Sequence, residues 1–225
     1  MKHRNSPVAF VTLTAAPLSL VLASLTTAGA TFSNGSSISI PDTATASPYP
    51  STLTVSGLGT SLSSITVTLH DFTHSAAPDV GIVLQSPSGA NVMLMGQVGG
   101  SVFSPVTLTF DDAAASQVPV FFPSLTTGSY KPTDNSSGFT FADGGSHAEP
   151  TSWTTTLATF VGTNPNGDWK LFVQDFFGGD TGSIASGWSM NLTAVPEPGT
   201  YTAIAAAGLM GFALLRARSR ASSKA

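Results

Sequence analysis

Short runs of alternating apolar and polar residues recur along most of the chain. Leu53 and Val55 alternate with threonines, as do Ile65, Val67 and Leu69, and later Val106, Leu108 and Phe110. Val80, Ile82 and Leu84 form a further run, and Val92 to Met95 is short and wholly apolar. Trp169, Leu171 and Val173, then Trp188, Met190 and Leu192, repeat the pattern. A period of two puts each apolar set on one face of a β-strand. Tight-turn sequences separate the runs: Ser86-Pro87-Ser88-Gly89, Asn164-Pro165-Asn166-Gly167 and Gly178-Gly179-Asp180-Thr181-Gly182. Proline presets φ and glycine frees it, as such turns require. Many short strands without a long helical period predict an all-β fold, a β-sandwich. Residues 119–145 are the least patterned and predict a long crossing loop with one short strand at most.

Two apolar stretches break the alternation, one near each end. The first runs from Val8 to Leu25, after Lys2 and Arg4 and before Ala28-Gly29-Ala30. Positive residues, an apolar run and a small-residue cleavage pattern predict a secretory signal helix over residues 1–30. The competing reading, a buried N-terminal helix, fits less well, because the stretch from Thr31 to Gly35 after it reads as a loop. The second stretch, Tyr201 to Leu215, follows Pro196-Glu197-Pro198-Gly199 and precedes Arg216, Arg218, Arg220 and Lys224. Its 15 residues reach ~22 Å as a helix, short of a ~30 Å hydrocarbon core. Residues 195–225 therefore predict a short transmembrane helix that inserts but anchors marginally. Its bases favour the cytoplasmic side. Ala203, Ala207 and Gly211 recur every fourth residue and leave a smooth stripe where another helix could approach.

Between these ends, residues 31–194 form one body, long enough for a single well-filled core. The chain's net charge of −4 hides a segregation. The body holds two bases, Lys131 and Lys170, against ten Asp and Glu149, a net charge of −9. Such acidity repels phosphate backbones and argues against nucleic acid as a partner. It suits divalent cations. Cysteine is absent, so neither disulfides nor thiolate metal sites contribute.

Read in order, the body resembles the P domain, or Homo B domain, of proprotein convertases and bacterial relatives. Ile38-Ser39-Ile40-Pro41-Asp42 is similar to the family's opening strand. Ile65 to Leu69, His74, and Asp79-Val80-Gly81-Ile82-Val83-Leu84-Gln85-Ser86-Pro87-Ser88-Gly89 resemble its histidine and "DL.I.L.SPSG" signature. Leu108 to Ala113, with Asp111-Asp112, resembles its "F-D-D" segment, and Tyr130-Lys131-Pro132 its "Y.P" element. Phe160-Val161-Gly162, Asn166 to Leu171, Asp175, Asp180 to Ile184 and Trp188-Ser189-Met190 resemble the closing series. The resemblance implies a jelly-roll-like β-sandwich. Gly81 departs from it, standing where the family often carries a second aspartate, which weakens any metal site carried over there. The tail resembles the PEP-CTERM sorting signal of Gram-negative bacteria, with Pro196, Glu197 and Pro198 as the motif. That resemblance implies processing by an exosortase in the inner membrane. The competing reading of the tail is a plain membrane anchor.

Candidate chemistry in the body is sparse. His70-Asp71 and His74 stand among many serines, but no Gly-x-Ser-x-Gly elbow is present. His70 ends an alternating run, which points to a structural role. No enzymatic constellation is expected, and no separate protease domain fits beside a sandwich of this size. For calcium, Asp111-Asp112 and the Asp175–Asp180 segment sit at strand ends, where loops converge oxygens. The favoured trio is Asp79, Asp175 and Asp180, with solvated turn residues as the alternative. Trp169 and Trp188 fall on core faces, which leaves Trp153 as the one indole to test as a sugar platform. The expectation is an exported protein, transiently in the inner membrane and then on the cell surface or in an exopolysaccharide matrix. Its partners would be the secretion machinery, an exosortase, and a surface polysaccharide or protein. A calcium-assisted lectin-like module, or an accessory domain of a secreted protease or hydrolase, are the alternatives.

Overall fold

The computed structural model describes residues 29–120, 123–142, 149–195, 208–213 and 216. In chain order its strands are β1 (Ala30–Asn34), β2 (Ile38–Ile40), β3 (Ser51–Val55), β4 (Leu62–His74), β5 (Val80–Gln85), β6 (Asn91–Gly96), β7 (Val102–Phe110), β8 (Gly128–Tyr130), β9 (Thr133–Asp134), β10 (Gly167–Asp175), β11 (Gly182–Ile184) and β12 (Trp188–Ala194). Two short 3₁₀ turns, Ala77–Asp79 and Leu157–Phe160, interrupt them.

The strands form two sheets. The smaller runs β3-β10-β5-β6-β9, antiparallel except for the last pair. In the larger sheet β4 is the spine. Its first part pairs with β12 and its last part with β11 along one edge, and β7 takes the other edge. β1 lies outside β12, β2 outside β11, and β8 runs parallel beside β7. The fold is all-β, as the alternation predicts.

The alternating apolar sets meet between the sheets. Trp169, Trp188, Phe72, Phe110 and Phe160 are completely buried there. Each such ring contributes about 1.5–3 kcal/mol on leaving water. Both buried indoles also satisfy their N–H: Trp169 donates to the Pro165 carbonyl (2.8 Å) and Trp188 to Ser51 Oγ (3.0 Å).

Four local expectations are corrected. The segment after the predicted signal is strand β1 rather than a loop, because Phe32 sits on the core side opposite Met190. His70 does not end its strand. Asp71 adopts φ 56° at an irregularity, and β4 continues to His74 against a new partner. Residues 119–145 contribute two short strands, β8 and β9, both paired in parallel. Finally, β5 is buried on both faces from Val80 to Leu84. Its outer face, with Val83, Met93 and Phe172, is roofed by Phe139, Phe141, Trp153, Phe176 and Tyr49 in a second apolar cluster.

Residues 1–28 of the expected signal lie outside the described residues. Of the expected tail helix, residues 208–213 and 216 are helical. Among the described residues no helix is long and apolar enough to cross a membrane.

Candidate functional site

The strand registers give the sandwich two distinct poles. At one, β4 ends at His74 beside the ends of β10 and β2 and the start of β5. His74 and Asp175 are both buried, with Nε2 and Oδ2 3.3 Å apart. The two atoms are not aligned as a hydrogen bond, and neither has another partner. His74 Nδ1 accepts from the Ala76 amide (3.2 Å), which leaves the ring proton to Nε2, on the Asp175 side. Asp175 Oδ1 accepts from the Phe177 amide (3.0 Å). Burial pushes the Asp175 carboxyl above the usual carboxylate range, against the opposing pull of the Phe177 amide and His74.

The structure brings the predicted trio to this same pole. Asp79 closes the first 3₁₀ turn and Asp180 lies between β10 and β11. Partial burial raises the Asp79 carboxyl above its ordinary value, and repulsion from Asp175, Asp180 and Asp42 adds to the shift. Asp42 itself accepts from the Gly179 amide (2.9 Å). The carboxylates interact across space, yet they do not converge into a cage. Among the described residues no three His, Asp or Glu side chains are grouped to hold a metal ion.

Other candidate acids already have local work. Asp112 accepts from Thr156 Oγ1 (2.6 Å) and from the Leu157 and Ala158 amides (2.9 and 2.8 Å), capping the second 3₁₀ turn. Asp111 closes a turn through the Ala113 amide (2.8 Å). Asp134 Oδ2 accepts the Trp153 indole N–H (2.9 Å). Trp153 is half-buried, edge-on to Phe141, and serves as part of the roof over the smaller sheet.

The outer face of the larger sheet carries a feature that single-residue reading missed. Ser33, Ser189, Thr68, Thr109 and Ser129 pair in sequence across β1, β12, β4, β7 and β8. All five project away from the core and are exposed or half-exposed. Thr31, Asn191 and Thr66 form a parallel row. Thr68 and Thr109 share a hydrogen bond (3.1 Å), and His70 Nε2 meets Ser189 Oγ at 2.8 Å. The His70 amide is used by the Gly187 carbonyl. The polar halves of the alternating runs were the available signal; strand order was the missing information.

The opposite pole carries the ends of the body. Ala30 pairs with Leu192, and β12 closes against the start of β4. The Val195 amide donates to the Ser61 carbonyl (2.8 Å). Gly162 and Thr163 bracket Leu62 through backbone hydrogen bonds, and Asn166 holds both backbone groups of Leu58. Pro196, Glu197 and Pro198 follow directly and lie outside the described residues.

No curated protein matches the chain. Among solved structures, a serine protease of Aeromonas sobria in complex with the chaperone ORF2 is similar at 14% identity, with a TM-score of 0.37. The match covers 75% of this chain and 26% of that one. The Aeromonas sobria serine protease alone is similar at 15% identity and a TM-score of 0.33, covering 74% and 26%. The chain thus spans about a quarter of the length of the solved chains it matches. Two family models match separate segments: residues 132–192 match the proprotein convertase P-domain, and residues 194–219 match the PEP-CTERM protein-sorting motif.

Proposed function

We propose that this protein is exported, sorted by an exosortase, and delivered to the cell surface or exopolysaccharide matrix, where its sandwich acts as a structural or binding module without a reaction of its own. The sorting match carries this reading. It begins at residue 194, where the last strand of the body ends. A PEP-CTERM motif implies export, envelope targeting and recognition by an exosortase. The passage through the inner membrane, with the body on its outer side, is part of the proposal and follows from the basic cluster after Leu215. Replacing Pro196, Glu197 and Pro198 together by alanine is expected to leave full-length protein in the inner-membrane fraction. Release at the wild-type rate would count against the reading.

The hydroxyl rows on the larger sheet favour a binding role over a spacer. An uncharged array with strands ~4.8 Å apart offers donors and acceptors suited to a neutral polysaccharide. Thr68→Val with Thr109→Val keeps the shape and removes two hydroxyls. Retention of the purified body on immobilised exopolysaccharide is expected to fall in this variant, and unchanged retention would leave the spacer reading. A calcium-assisted form of the same role would need the carboxylates of the acidic pole to draw together around the ion. The P-domain match keeps an accessory role beside a protease as the other reading. Co-purification of a protease with the processed protein would favour it.

A further inference from the structure

The folded body and the sorting motif have no linker between them. Val195 is still pinned to Ser61 by its amide, and Pro196 is the next residue. Gly59 makes this close seat available, since a Cβ there would come within 2.5 Å of the Val195 carbonyl oxygen. Three residues beyond Val195 extend at most about 11 Å. A specific protein contact covers about 800 Å² per partner, a disc roughly 16 Å in radius. An enzyme that grips the motif therefore meets the sandwich pole as well.

Asp112, which caps the turn before Val161, and Asp168, two residues past Asn166, stand at the rim of this pole, while the segments around the exit point itself are uncharged. Residues 57–61 and 161–166, which flank the exit point, contain no charged side chain. Val161 and Val195, on either side of the start of β4, are each 46% exposed. A separate group of carboxylates, Asp42, Asp79, Asp175 and Asp180, lies at the far pole. The point where the chain leaves the body, the missing spacer and the two uncharged segments coincide. From this we propose that the uncharged segments 57–61 and 161–166 dock against the membrane-embedded sorting enzyme as it reads Pro196, Glu197 and Pro198. The inference rests on the sorting reading above and adds a second contact face to it.

The test follows processing of the full-length protein in cells by pulse-chase and immunoblot. Val161→Asp places a charge on the exposed pole and is expected to slow processing by about tenfold, with the melting temperature of the body unchanged. Thr60→Asp does the same from the neighbouring loop, should Val161→Asp fold poorly. Asn135→Asp, an exposed site outside the pole, makes the same charge change and is expected to process normally. A ten-residue Gly/Ser insertion between Val195 and Pro196 adds roughly 17 Å of slack. Behind this insertion Val161→Asp is expected to have no further effect, as a double-mutant cycle requires of coupled elements. Wild-type processing of both pole variants would overturn the docking face. So would a Val161→Asp effect undiminished behind the spacer. Normal processing of the triple-alanine motif variant would instead remove the sorting reading, and the docking face with it.

Discussion

Gly81 faces the ring edges of Phe176, Phe141 and Phe139, which would lie 2.8, 3.0 and 3.1 Å from a Cβ at that position. The sequence marked this glycine as a departure from the P-domain pattern but could not say what filled the space. The space belongs to the aromatic roof, drawn from residues far apart in the chain. Gly81→Ala is expected to destabilise the body by about 1–3 kcal/mol through overpacking, readable as a lower urea midpoint. Asp112→Ala removes three accepted hydrogen bonds from a 3₁₀ turn and is expected to cost about 1–2 kcal/mol. Asp79 behaves oppositely. Its carboxyl is raised by burial and by neighbouring aspartates. As pH climbs past the ordinary carboxylate range, the unfolded chain loses this proton before the folded one. Stability therefore falls across that window and stays lower above it. Asp79→Asn is expected to raise the melting temperature at pH 7 and to leave it unchanged near pH 3. Equal shifts at both values would show that the repulsion is absent.

Strands facing solvent on one side were legible because alternation reports a single buried face. Those of the larger sheet, β4, β7 and β12, and edge strand β3, match their periodic runs. The expectation weakened wherever a strand is covered twice. β5 reads Val80-Gly81-Ile82-Val83-Leu84, buried throughout, and nothing local announces the roof that Phe139, Phe141, Trp153 and Phe176 build over it. β8 and β9 escaped notice for another reason: parallel partners distant in the chain define them, and their own residues carry little pattern. The candidate site divided similarly. Asp175 and Asp180 were placed together from their strand-end loop and Asp79 from the resemblance, whereas the His74–Asp175 contact depends on β4 and β10, strands of different sheets, ending at the same pole. The roof is held by ring contacts and the Trp153–Asp134 hydrogen bond rather than by a ladder. Trp153→Phe keeps an aromatic ring, though a smaller one, and deletes that bond. In hydrogen exchange, amides under the roof are expected to lose protection in this variant while β4 and β12 keep theirs. Uniform loss across both sheets would contradict a separately opening roof.

The molecule as a whole is polarised. One end carries the exit toward the sorting motif, with Asp112 and Asp168 beside it, and the other gathers Asp42, Asp79, Asp175 and Asp180 around a buried imidazole. Length and composition anticipated one acidic body; only the strand registers divide its acids between the two ends. The scarcity of bases has a further consequence for a protein that carries an export and envelope-sorting signal. A trypsin-type protease finds two target residues in the body. Lys131 is followed by Pro132, a bond such enzymes do not cut. Lys170 lies within β10, bonded between β3 and β5, so cutting there requires the sheet to open. Trypsin added to intact cells is expected to leave the body whole, so proteases that cut after lysine or arginine meet no ready target in it once it is exposed.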